Sequence, residues 1–270
     1  MTDLLSCFGL HTLPFTREIR VESRYAHPVF TEALETLSRV VSRRMSGALI
    51  GPAGTGKTAL LRALVDRLPP ARYRIHYVKV TDLSKRDLCR EITAAVDAVP
   101  ATTYPGLVRN LQVRFLNTLD TDGLRPVLIL DEAHEIRPEV FGVVRILTNF
   151  EMDSRLVVSV ILSGQGPLRD LLRRDSLEDV ARRLACVLTL RTLSREETRD
   201  YVAWRMTVAG AGAGILPFDA GALDALFEIG RGNLRATDLL ALAALEAAFE
   251  KKETVVDQNH VSEARRRVLP

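Results

Sequence analysis

Eight residues, Gly51-Pro52-Ala53-Gly54-Thr55-Gly56-Lys57-Thr58, constrain this 270-residue chain more than any other stretch. They satisfy the pattern G-x-x-x-x-G-K-[ST], between a short apolar run, Ala48-Leu49-Ile50, and a helical one, TALLRALVDRL, which Pro69 and Pro70 stop. Strand, glycine loop and helix in that order form a phosphate cradle. Glycines let successive backbone N–H groups point inward, and the helix that runs on through Ala59 brings its positive end to the same place. Lys57 is the residue to reach the β- and γ-phosphates, and Thr58 the one to ligate Mg²⁺ through its hydroxyl.

Such a site needs a carboxylate at the end of a neighbouring buried strand, and PVLILDEAH (126–134) supplies Asp131 and Glu132 after four apolar residues. Asp131 is expected to hold Mg²⁺, directly or through water, and Glu132 to polarise the attacking water as general base. An acidic pair there is also what a helix N-cap prefers. The pair falls 74 positions after Lys57, with two helices and one further strand between, which fits hydrolysis better than transfer. His134 completes a DEAH string without the helicase motifs that should accompany it, and is given no catalytic role.

The rest of the chain reads as α/β. Apolar, β-branched runs at 48–50, 74–80, 126–130, 155–162 and 186–190 predict about five strands covered on both faces. Between them, 30–45, 85–96, 106–119, 139–151 and 168–184 carry helical spacing. After Leu190 only helical patterns follow, so residues 1–190 are expected to form a core with a parallel five-stranded sheet, and 191–270 a small all-helical lid. Ser194 and Glu197 are spaced as a capping box, Gly210 and Gly230 fall where helices should end, and AGAGAG (209–214) reads as a flexible loop.

Together these pieces resemble the AAA+ ATPases, and more narrowly the group joining the ExeA-type ATPases of bacterial secretion to the TniB/TnsC-like ATPases that transposons encode to choose target DNA. The resemblance is carried by FGLHTLPF (8–15), the GPAGTGKT loop, LILDEAH, RILTNFE (145–151), SGQGPLRDLL (163–172), ARRLA (181–185), LSREETRDYVAWRMTVAG (193–210) and GNLRATDLLALAALEAA (232–248). It implies ATP and Mg²⁺ as cofactors. It also implies a γ-phosphate sensor at Ser163 or Gln165, an arginine that completes a neighbour's site at Arg182 or preferably Arg183, and a second sensor arginine at Arg235 in the lid. An arginine acting between subunits implies a ring or helical homo-oligomer.

Composition narrows the partners less. With 47% hydrophobic and 26% charged residues the chain is neither disordered nor fibrous, and Cys7, Cys89 and Cys186 form no disulfide or zinc pattern. No run approaches the roughly 18 apolar residues of a membrane helix, and Asp3 stands where a leader would be basic, so a cytoplasmic protein without membrane contact is expected. The net charge of +3 hides a core with 26 basic and 22 acidic residues and a lid with 11 and 12. Only five of the 37 basic residues are lysine, which fits codon bias or a preference for the guanidinium fork.

In the transposition relatives the DNA-facing elements follow the second strand. Here that implies Thr81, Ser84, Lys85 and Arg86, with Arg109 and Arg114 extending the patch, as phosphate contacts on non-specific duplex DNA. Arg265-Arg266-Arg267 reads as a frayed basic tail, as added basic surface or as a transposase contact. ExeA-type chains continue into a membrane segment and a peptidoglycan-binding module, whereas this sequence stops at Pro270. The expectation is therefore an ATP-bound oligomer that assembles on DNA and recruits a transposase or other adaptor. The alternative is an assembly factor for a protein complex that does not bind DNA.

Overall fold

The computed structural model describes residues 4–16, 25, 27–212 and 216–268. Among these the elements run α1 (Leu4–Cys7), α2 (Pro28–Ser42), β1 (Ser46–Ile50), α3 (Lys57–Arg67), β2 (Tyr73–Lys79), α4 (Lys85–Ala95), α5 (Tyr104–Asp120) and β3 (Arg125–Asp131). They continue with α6 (Gly142–Leu147), β4 (Ser159–Gly164), α7 (Gly166–Leu172), α8 (Glu178–Ala181), β5 (Leu184–Thr189), α9 (Arg195–Val208), α10 (Ala220–Gly230), α11 (Leu234–Glu250) and α12 (Gln258–Val268). Two compact units result. One holds Pro28–Ala53 and Lys57–Leu190; the other holds Arg191 onward, the loop tip Gly54–Gly56 and the described residues up to His27.

The first unit is built on a parallel sheet in the order β2-β3-β4-β1-β5. The three inner strands are buried almost throughout, while β2 and β5 at the edges alternate, so cover on both faces, expected of all five strands, is found on the inner three alone. One face packs Leu128, Leu130 and Leu162 against Ile92, Leu111 and Phe115, and the other packs Leu49, Ile129 and Ile161 against Leu37 and Leu64.

Three predicted elements differ. The strand expected over 155–162 begins at Ser159: Val157 and Val158 are buried without sheet pairing, and Arg155 only bridges back to Phe150 across a turn in which Glu151, Met152 and Asp153 are left-handed. The helix expected over 139–151 is a 3₁₀ turn, Pro138–Val140, followed by the short α6. The helix expected over 168–184 breaks into α7, a 3₁₀ turn at Asp175–Leu177 and α8, because Arg173 to Ser176 offer nothing apolar to bury and Asp and Ser favour turns.

The second unit packs α9 to α12 around Val202, Met206, Leu226, Leu240 and Val261, and the same core takes in Phe8, Leu10 and Phe15. The N-terminal segment, expected with the core at 1–190, therefore belongs with the helices: Phe15 meets Phe218 edge-on, and the His11 and Thr12 N–H groups donate to Ala209 O at 2.8 and 3.1 Å. Those contacts bury Ala209 and Ala211, so the part of the 209–214 loop that the structure describes is anchored; 213 and 214 lie outside the described residues. The capping box forms, with Ser194 Oγ accepting from Glu197 N–H and Glu197 accepting from Ser194 N–H. Beyond Gly230 the chain reverses through left-handed Arg231 and Gly232. A Cβ on Gly232 would lie 2.0 Å from Leu193 O.

Arg265-Arg266-Arg267 is no frayed tail. It sits in α12, which buries His260, Val261 and Ala264, and Arg267 pairs with Glu250 and Glu263. Among the described residues no helix is long and apolar enough to cross a membrane.

Candidate active site

β1 lies between β4 and β5 and delivers the chain into the glycine loop, whose start is pinned by Gly51 N–H donating to Gly164 O at 3.1 Å. Lys57 opens α3 as a buried residue, and its Nζ donates to Gly51 O at 2.8 Å and Pro52 O at 3.0 Å. An ammonium folded back on its own loop's carbonyls can exchange them for phosphate oxygens. Gly54 (φ 78°) and Gly56 (φ 90°) are left-handed, and a Cβ on Gly54 would fall 2.3 Å from Asn233 Oδ1, so conformation and contact both require glycine there. Gly54 O also accepts from Arg235 N–H at 3.4 Å. Thr55 is buried, Pro52, Ala53 and Thr58 are exposed, and Ala59 is half-buried behind them. The donor set fits a nucleoside triphosphate with Mg²⁺: a curled, glycine-permitted backbone, an inward ammonium, a free-standing hydroxyl at Thr58 and a carboxylate at Asp131.

Asp131 ends β3 and is 3% exposed. Its Oδ1 accepts from Ser163 Oγ at 2.7 Å and from Glu132 N–H at 3.0 Å, and its Oδ2 accepts from Tyr77 Oη at 2.9 Å. Partial burial, reinforced by the Asp131 charge, pushes the Tyr77 phenol above its ordinary range, so the hydroxyl remains a donor. Glu132 is left-handed at φ 57° and ψ 33°, a conformation that costs a non-glycine residue roughly 1–2 kcal/mol. Its Oε2 is buried without a hydrogen bond, 3.4 Å from His134 Nδ1. The two candidate sensors separate: Ser163 touches Asp131, whereas Gln165 contacts the His134 ring, Nε2 to Nε2 at 3.0 Å.

Residues 39–172 match the family model of the AAA domain. General secretion pathway protein A of Aeromonas hydrophila is 32% identical over 249 residues, which is 90% of this chain and 44% of that protein. The chain carries an AAA domain. It resembles the ExeA-type ATPases and spans less than half the length of that relative. Solved structures share the fold: Cdc6p of Pyrobaculum aerophilum with a TM-score of 0.72 at 17% identity, covering 94% of this chain and 70% of that one. ORC1 of Aeropyrum pernix, in complex with DNA, has a TM-score of 0.65 at 20% identity, with 94% and 68% covered.

The two candidate finger arginines are occupied differently. Arg182 is exposed and pairs with Glu178 one turn back at 2.6 Å. Arg183 is more buried and grips both carboxylate oxygens of Asp153, Nη2 to Oδ2 at 2.8 Å, which holds the Asp153 carboxyl below its ordinary range. Both line a cleft of about 710 Å³ with Arg145 and Asp179. Arg235 is exposed at the first turn of α11. Of the candidate DNA contacts, Thr81, Lys85 and Arg86 are exposed. Ser84 is engaged as the N-cap of α4, accepting from Asp87 N–H and donating to its carboxylate at 2.6 Å. Arg114 is committed to Val96 O and Asp122, so it does not extend that patch, while Arg109 stays exposed.

Tyr77 and the contacts of His134 escaped the sequence. The DEAH string held a signal for His134; nothing local marks Tyr77, whose reach to Asp131 depends on the register of β2 on β3.

Proposed function

We propose that this chain binds ATP with Mg²⁺ on the glycine loop and hydrolyses it as one subunit of a ring or helical oligomer. In this reading the ATP-bound oligomer assembles on duplex DNA in the cytoplasm and recruits or activates a transposase or other adaptor. The observation that carries the ATPase reading is the grouping of Asp131, Glu132 and Ser163 at the carboxyl ends of β3 and β4, the strands between β2 and the glycine-loop strand β1. Gly51 to Ala59 cradle the phosphates, Lys57 neutralises them, and Thr58 and Asp131 hold the metal. Glu132 accepts a proton from water, and Ser163, or in its place Gln165, senses the γ-phosphate. Mg²⁺ would supply charge neutralisation on the transferring group.

A neighbouring subunit's Arg183, or failing that Arg182, completes the site, which requires Arg183 to leave Asp153. Arg235 reports nucleotide state to the lid. Thr81, Lys85 and Arg86 contact DNA phosphates, with Ser84 reduced to shaping that helix start.

The 32% identity to General secretion pathway protein A favours a second reading, an ATP-dependent assembly factor for a protein complex. ATP turnover measured with and without random-sequence duplex at about 50 mM salt, where phosphate contacts are strongest, separates the two. DNA-stimulated turnover that Lys85→Ala with Arg86→Ala abolishes supports the first. Turnover and assembly indifferent to DNA support the second. No turnover at all, or turnover that survives Glu132→Gln unchanged, sinks the enzyme reading. Arg183→Ala is expected to cut oligomer turnover on the order of 10³-fold.

A further inference from the structure

Asp131 has two carboxylate oxygens and about four acceptor positions. Oδ1 is filled by the Ser163 hydroxyl and the Glu132 N–H, and Oδ2 takes the Tyr77 hydroxyl and keeps one position open. Two donors on a single oxygen leave a carboxylate free to swing about that oxygen. Tyr77 holds the other one. Its own position is set by the sheet, with Tyr77 level with Ile129 and Lys79 level with Asp131, so the phenol reaches the carboxylate from a fixed point on β2. Tyr77 is 49% exposed and is not among the core residues, so its place is not explained by packing.

We propose that Tyr77 is a positioning residue for the divalent cation: by fixing Oδ2 it orients the open acceptor position of Asp131, which would hold Mg²⁺ directly or through water, and so sets the Mg²⁺ affinity of the nucleotide complex. This rests on the reading that the glycine loop binds nucleotide with Mg²⁺. A residue that only tethers β2 to β3 would affect nucleotide binding equally with and without the metal.

The test is Tyr77→Phe in the full chain, which removes the hydroxyl alone. Affinity for a fluorescent ATP analogue is measured in Mg²⁺ and in EDTA, and Mn²⁺ binding to the protein–nucleotide complex is titrated by electron paramagnetic resonance. Outer-shell partners of metal ligands typically change metal affinity 10–100-fold. The expected result is about a tenfold weaker Mn²⁺ affinity and a matching loss of Mg²⁺ enhancement, with metal-free nucleotide affinity and melting temperature unchanged. An unchanged metal affinity, or an equal loss with and without metal, overturns the role of Tyr77 and leaves the ATPase reading intact. A wild-type protein whose nucleotide binding ignores Mg²⁺ overturns both.

Discussion

Asp131 in the sheet unit is buried and Asp238 in the helical unit is half-buried, and each accepts from a tyrosine hydroxyl, Tyr77 at 2.9 Å and Tyr201 at 2.8 Å. Their other partners differ in kind. Asp131 receives a serine hydroxyl and a backbone N–H, both neutral donors. Asp238 receives the guanidinium of Arg205 at 3.2 Å; that arginine is 4% exposed, lies over the Phe15 ring and also donates to Thr16 O at 2.8 Å. The helical unit has built its cation in, and the pair is finished as structure. The sheet unit orients a carboxylate with dipoles and gives it no cationic side chain among its hydrogen-bond partners, a charge that in the proposed reading a bound cation would meet.

Neutralising each carboxylate should therefore separate activity from stability. Asp131→Asn is expected to lower ATP turnover on the order of 100-fold or more while leaving the melting temperature within a degree or two. Asp238→Ala strands a buried guanidinium and should cost about 3–5 kcal/mol, with turnover per folded molecule unchanged. Thermal melting and steady-state turnover on both variants check this. A destabilised Asp131→Asn protein, or an inactive but stable Asp238→Ala protein, would erase the distinction.

The same contrast explains what the sequence revealed. The glycine loop and the Asp131-Glu132 pair are legible because each is a short local string, placed by the strand that precedes it. The contacts that orient Asp131 arise 32 and 54 positions away, and only the strand order β2-β3-β4 brings them together. Ser163 was reachable through family resemblance, and Tyr77 was not. Arg205 and Asp238 are 33 residues apart on two helices whose spacing marks a core but not which polar residues enter it. Phe8, Leu10 and Phe15 announce burial without naming the core they fill. In α12 the buried stripe is too thin, His260, Val261 and Ala264, to show through a polar segment.

If the Arg205–Asp238 pair is structure alone, it should be replaceable by apolar packing. Buried ion pairs exchanged for hydrophobic residues of similar volume are often neutral in stability or better. Arg205→Met combined with Asp238→Leu is thus expected to recover most of the loss caused by Asp238→Ala, leaving a deficit of about 1–2 kcal/mol because Tyr201 and Thr16 O lose partners. No combination around Asp131 should restore turnover in the same way. A double variant no better than Asp238→Ala would mean the pair specifies the fold rather than filling it.

pH sharpens the comparison within the helical unit. Burial pushes the Asp238 carboxyl up to about 6 despite the arginine beside it. The folded state therefore holds a proton that the unfolded chain, titrating near ~4, has released. Stability from this group is full below pH ~4 and falls as pH rises towards 6. Asp238→Asn should remove that decline from melting curves taken between pH 4 and 6.5. A profile parallel to wild type across that window would show that Asp238 titrates normally and is better solvated than its burial implies.

Glu197 is half-buried like Asp238 but is shifted the other way by its ion pair, and the smallest effects belong to it. Arg191 grips both its oxygens at 2.6 and 2.7 Å, and Ser194 N–H donates to it at 2.7 Å, which together hold its carboxyl at about 2. The sign is opposite to that of Asp238: stability from Glu197 is present above its unfolded value near ~4.3 and is lost as pH falls towards 2. Glu197→Gln should flatten that acid limb while keeping a side chain able to accept from the N-cap. Ser194→Ala removes the neutral half of the capping box and should cost about 1 kcal/mol at every pH from 3 to 7. An acid limb as steep in Glu197→Gln as in wild type would assign it to the other ion-paired carboxylates of this unit, Asp224, Glu250 and Glu263, whose arginine and lysine partners also hold them low.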